Sequence, residues 1–143
     1  MNPFFIIDTN VVIAGLLTAH ADSPVARVLD GMLVARFGYV VSEQLLAEYR
    51  SVALRPALQK LHGLRADEVD VLLLDIARHA IVLNPAPQPH SPRAPDAGDQ
   101  FLWDLLACRT DLTLVTGDKL LLQDAAMQSR VITAQALVTQ LGH

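Results

Sequence analysis

Short apolar runs alternate with amphipathic stretches along the whole chain, and the spacing of the apolar positions separates strands from helices. Phe4 to Ile7 is a continuous apolar run between Pro3 and Asp8, which predicts a strand buried on both faces with Asp8 at its carboxyl end. Thr9 to Leu17 predicts a short helix, and Ser23-Pro24 supplies an N-cap and an N1 proline for a second helix running to about Arg36. Gly38 to Val41 predicts the second strand; Ser42 and Glu43 then open a helix carrying Leu45, Leu46, Glu48 and Tyr49. Further helices are predicted over Pro56 to His62 and Asp67 to His79, the latter with Val69, Leu72, Leu73 and Ile76 on one face, and Ile81 to Leu83 predicts the third strand.

Residues Asn84 to Pro95 hold five of the eight prolines, a density that excludes a helix or a sheet interior and predicts an extended surface loop. Beyond it the pattern predicts a helix over Asp99 to Arg109, a strand over Leu112 to Thr116 and a turn at Gly117-Asp118. A helix over Lys119 to Met127, a strand at Val131-Ile132 and a last helix capped by Thr133 follow. Met32, Phe37, Trp103 and the run Leu120 to Leu122 are candidate core. Strands alternating with helices imply right-handed crossovers and an α/β fold on an open parallel sheet, in which ligands bind beyond the carboxyl ends of the strands.

Composition narrows this picture. A chain of 143 residues, 52% hydrophobic but only 5% aromatic, suits one domain over residues 1–143 with an aliphatic core. The single cysteine, Cys108, cannot form an internal disulfide, the N-terminus has no basic, apolar leader pattern, and no apolar stretch approaches the roughly 20 residues needed to cross a bilayer. A cytoplasmic protein without a membrane span is expected. The net charge of −4 speaks against a protein that coats nucleic acid through many phosphate contacts. A nuclease remains compatible, because acids gathered in one metal site leave the rest of the surface closer to neutral.

The candidate chemistry lies in four carboxylates. Asp8 and Asp118 follow the first and fourth strands, Asp99 starts the helix before the fourth strand, and Glu48 has the extra methylene needed to reach inward from its helix. At about 5 Å and an effective dielectric near 20, each pair of such charges repels by on the order of 3 kcal/mol, so a cation is required. Oxygen ligands suit a hard divalent ion, Mg²⁺ or Mn²⁺; His20, His62, His79, His90 and His143 are scattered without zinc-like spacing. Such a centre activates water and stabilises both oxygens of an in-line displacement at phosphorus, which makes phosphodiester hydrolysis the natural chemistry.

Other positions admit two readings. Asn10 and Thr116 either orient ligands or serve as caps and turn residues. Arg50, Arg55, Lys60 and Arg65, together with Lys119, either guide RNA phosphates or form an ordinary solvated face. Asp104 lies about 140° around the helix from Asp99 and is assigned either to the surface or to a shell around the ligands. Two other function classes remain open. One is a non-catalytic RNA- or protein-binding module. The other is a phosphatase or receiver-like domain, against which Asp8-Thr9-Asn10 lacks a second aspartate at +2 and the third strand runs into Asn84-Pro85.

Four segments, Ile6-Ile7-Asp8-Thr9-Asn10-Val11, Leu46-Ala47-Glu48-Tyr49, Asp99-Gln100-Phe101-Leu102 and Leu114-Val115-Thr116-Gly117-Asp118-Lys119-Leu120-Leu121, occur in an order that resembles PIN-domain nucleases. The likeness is specifically to the VapC-like toxin subunits of bacterial type II toxin–antitoxin pairs. It implies a three-layer fold with a five-stranded parallel sheet and helices on both faces, and metal-dependent endoribonuclease activity. It also implies Asp8, Glu48, Asp99 and Asp118 as metal ligands, an RNA substrate, a homodimer, and inhibition by a small antitoxin protein. One departure is that related sequences often place adjacent acids before the third motif, whereas here Ala97-Gly98 separate Asp96 from Asp99. Asp99 is taken as the ligand because Phe101-Leu102 follows it, with Asp96 as an accessory.

Overall fold

The computed structural model describes residues 3–87 and 89–142. Among the described residues there are five strands, β1 (Phe4–Ile7), β2 (Val40–Val41), β3 (Ile81–Val82), β4 (Leu112–Val115) and β5 (Val131–Ile132), and every pairing between them is parallel. Eight α-helices accompany them among the described residues. They are α1 (Thr9–Leu17), α2 (Pro24–Leu33), α3 (Glu43–Ala53), α4 (Pro56–His62), α5 (Ala66–His79), α6 (Gln100–Ala107), α7 (Lys119–Leu122) and α8 (Ala134–Gln140).

The strands form two sheets, ordered β1-β4-β5 and β2-β3, and not the single five-stranded sheet that the resemblance implies. A lone parallel bridge between Phe5 and Tyr39, with the Phe5 amide donating to the Gly38 carbonyl at 3.1 Å, joins them. The physical reason lies at Ile7, whose backbone faces β2 in the alternation of the ladder. Its carbonyl, which the next rung would use, accepts instead from the buried Tyr49 hydroxyl. In the larger sheet the carboxyl ends are level: Ile7 pairs with Val115, and Val115 with Ile132. Residues 8 and 116 therefore leave the sheet side by side, with the Asp8 amide still donating to the Val115 carbonyl at 2.9 Å.

Several helix ends differ from the sequence reading. α2 stops at Leu33, short of Arg36, because Ala35 takes a left-handed conformation (φ 54). The amides of Arg36 and Ala35 then close back on the Gly31 and Met32 carbonyls, a Schellman arrangement built without glycine. Asp99 is the N-cap of α6, whose first helical residue is Gln100, and it also ends a 3-10 turn over Ala97–Asp99 whose cap is Asp96. α7 is one turn long, because the Asp124 side chain accepts from the Ala126 amide and starts a separate turn in place of continued helix. The proline-rich segment is pinned at both ends: Asn84 accepts from the Glu43 amide, and Gln100 bonds Ser91, Pro92 and Ala94.

The core fills the space around the strands with Ile6, Ile7, Val40, Leu114, Met32, Trp103 and Leu106, all fully buried. A smaller cluster of Ile13, Ala53 and Val69, with Val52, Leu58 and Leu64 against it, fastens α4 and α5 to α1 and α3. The Leu120 to Leu122 run divides: Leu121 is buried, whereas Leu120 is 62% exposed, because a one-turn helix turns only one of them inward. At the end of α6, the Arg130 Nη2 lies 2.8, 2.6 and 3.1 Å from the carbonyls of Leu106, Arg109 and Leu112 and ties that helix to β4. Among the described residues no helix is long and apolar enough to cross a membrane.

Candidate active site

Asp8 is the N-cap of α1 and only 5% exposed. One of its oxygens accepts from the Thr9 amide at 2.7 Å, the other from the Thr116 hydroxyl at 2.7 Å and the Asn10 amide nitrogen at 3.2 Å. Burial pushes the Asp8 carboxyl above its usual range; the bonds from Thr116 and Thr9 oppose that shift, and the charges of Glu48 and Asp118 add to it. Asn10 and Thr116 are thus the hands that fix Asp8. Asn10 also donates to Thr116 at 3.2 Å and accepts from the Gly117 amide at 3.0 Å, and Thr116 accepts from the Asp118 amide at 3.0 Å. The sequence reading left these two residues between orienting and capping roles; the geometry has them doing both.

Glu48 reaches from α3 to the Thr9 hydroxyl, which donates to it at 2.5 Å. Thr9 is a participant that sequence reasoning passed over; its one signal is its place between Asp8 and Asn10 at the end of a buried strand. Asp118 caps α7 by accepting from the Leu120 amide at 2.9 Å. Asp99 makes no capping bond, and its carboxyl is pushed up to about 6, first by burial and then by the charges of Asp8, Asp96, Asp118 and Glu48. Asp96 sits outside the cavity, exposed, with its side chain accepting from the Gly98 amide at 2.9 Å.

Asp8, Glu48, Asp99 and Asp118 all line one open cavity of about 420 Å³, floored by Ile13, Leu17 and Val52. They are wall residues and not a closed cage: among the described residues no three His, Cys, Asp or Glu side chains stand close enough to hold a metal ion as they are. The bonds above explain why, since Asp8, Glu48 and Asp118 are each drawn to a neighbouring donor and their charges repel. The donor set nonetheless fits a hard cation. It consists of carboxylates with no ion-paired Lys or Arg among the described residues, and Asp99 registers the uncompensated negative field. None of the described histidines lines this cavity, and His143 lies outside the described residues.

The basic residues scatter. Arg55 lines the acid cavity, and Lys119 borders the adjoining one. Arg50 is held by Asp70 at 2.7 Å, and Arg65 by Asp67 at 3.0 Å with Glu68 at 3.8 Å, so neither points a bare charge towards the acids. Lys60 is exposed on α4. Asp104 faces away, accepting from Ser91 at 3.0 Å beside the proline-rich segment.

The profile of one protein family, the PIN domain, matches residues 5–120, a span that includes all four acids. No curated protein matches the chain.

Proposed function

The chain belongs to the PIN-domain family, whose members are in general nucleases, and from that premise we propose that it is a metal-dependent endoribonuclease and the toxin of a toxin–antitoxin pair. The observation that carries the catalytic reading is the meeting of Asp8, Glu48, Asp99 and Asp118, from four separate parts of the chain, around one cavity at the level carboxyl ends of β1 and β4. The toxin assignment, the homodimer and the small antitoxin partner rest on the likeness of the four sequence motifs to VapC-like subunits.

In this mechanism the four carboxylates would hold Mg²⁺ or Mn²⁺, directly or through water, and such an ion would supply charge neutralisation at the scissile phosphate and acidify an attacking water. Asp8 is the fixed member, because the Thr9 amide, Asn10 and Thr116 leave it one orientation. Glu48 is aimed by the Thr9 hydroxyl. Asp99, free of capping bonds and pushed up to about 6 by burial and its acidic neighbours, would be held charged by a cation bound there. Arg55, at the rim, faces the phosphate that enters. Ile13, Leu17 and Val52 keep the floor apolar, which strengthens every charge interaction above it.

The test is cleavage of an end-labelled single-stranded RNA by the purified chain with Mn²⁺ or Mg²⁺, with EDTA, and with Asp8→Asn. Internal cuts that vanish in EDTA and in the variant are expected; undiminished cutting by Asp8→Asn overturns the assignment. The toxin role predicts growth arrest on expression, relieved both by Asp8→Asn and by a small protein encoded next to this chain.

A further inference from the structure

A second cavity, of about 410 Å³, adjoins the acid cavity, and the two share Asn10 and Ala14 in their walls. Its chemistry is the opposite of its neighbour's. Val11, Ala14, Val25, Leu122 and Ala134 give it an apolar face, no carboxylate borders it, and Lys119 is its one charged lining residue. Thr133 and Gln135, both exposed, stand with Lys119 among its polar lining residues. An apolar hollow with a few polar groups and one cation, next to a phosphate-cleaving centre, matches the two faces of a nucleotide.

Resting on the nuclease reading, we propose that this cavity is a subsite for the unpaired base of the nucleotide next to the scissile phosphate, with Lys119 on that nucleotide's own phosphate and Gln135 on the base edge. The shared wall includes the Asn10 side chain, which bonds Asp8 on one side and the Gly117 amide on the other, so the second cavity directly borders the acid-lined one. A base lodged there has left any helical stack, and a paired strand cannot present one.

The experiment compares two substrates on the full chain with Mn²⁺: a single-stranded RNA with an abasic nucleotide walked along it, and bis(p-nitrophenyl) phosphate, which reaches the acids without filling the second cavity. The wild type should hydrolyse both and lose about tenfold or more in RNA cleavage when the abasic site falls next to the cut. Gln135→Trp, at an exposed rim position, should impair RNA cleavage to a similar degree and leave the small ester unaffected. Lys119→Gln should raise KM for RNA about three- to tenfold and flatten its salt dependence. Asp8→Asn should abolish both activities. If the wild type cleaves both substrates but neither the abasic site nor Gln135→Trp changes RNA cleavage, the subsite is refuted and the nuclease reading stands. If the wild type cleaves neither, the nuclease reading falls and the subsite with it.

Discussion

Asp8 and Asp99 are held where their charged forms are disfavoured, the first by burial and the second by burial among like charges. An acid whose folded pKa is raised keeps its proton in the folded state over a range where the unfolded chain has lost it. Its contribution to stability therefore falls as pH rises from the unfolded value of 3.8 to the folded value of about 6 for Asp99, and is constant above that. In chelator, thermal unfolding across this window should show Asp99→Asn gaining on the wild type as pH rises, by about 1 kcal/mol once solvent screening of a part-exposed group is allowed for. A constant difference between the two proteins across pH 4 to about 7 would exclude the crowded-acid account. Thr116 works in the other direction. Its hydroxyl stabilises the Asp8 carboxylate, so Thr116→Val, which keeps the shape, should cost about 1–3 kcal/mol and most of the activity, with Thr116→Ser restoring both. Equal stability of the valine variant in denaturant titration would show that the bond carries no weight.

At the scale of elements, the strand ends that carry Asp8 and Thr116-Gly117-Asp118 are legible in the sequence: Asp8 ends an unbroken apolar run, and Gly117-Asp118 is a turn signal after the apolar stretch from Leu112. The count of rungs between β1 and β2 is not legible. It depends on a hydroxyl from α3 taking the Ile7 carbonyl across 42 positions of sequence, a contact no local pattern announces. The end of α2 is hidden for a related reason: Ala35 is a poor marker for a left-handed cap, and only the closing bonds to Gly31 and Met32 reveal it. Because alanine there bears a steric cost that glycine does not, Ala35→Gly should raise stability by about 0.5–1 kcal/mol and leave RNA cleavage unchanged. A lower melting temperature for that variant would contradict the cap geometry. α7 stops early through a bond of the same local kind, from the Asp124 side chain to the Ala126 amide.

Across the whole molecule, parallel pairing with level carboxyl ends turns distance in sequence into proximity at one edge, which is how positions 8 and 118 come to share a wall with Glu48 of α3 and with Asp99. Asp99, which opens the third motif, lines the cavity, while Asp96, three residues earlier, is exposed and caps the 3-10 turn. The fold also sorts the basic residues, which composition could not do: Arg55 lines the acid cavity, whereas Arg50 and Arg65 are occupied by carboxylates of α5. Whether the four acids act together as one cation centre is read out by titration of Mn²⁺, followed by the electron paramagnetic resonance signal of the free ion. The wild type should take up Mn²⁺ with an affinity that drops about tenfold or more in each of Asp8→Asn, Glu48→Gln, Asp99→Asn and Asp118→Asn, all still folded. Undiminished Mn²⁺ uptake by Asp8→Asn and Asp118→Asn would contradict the account.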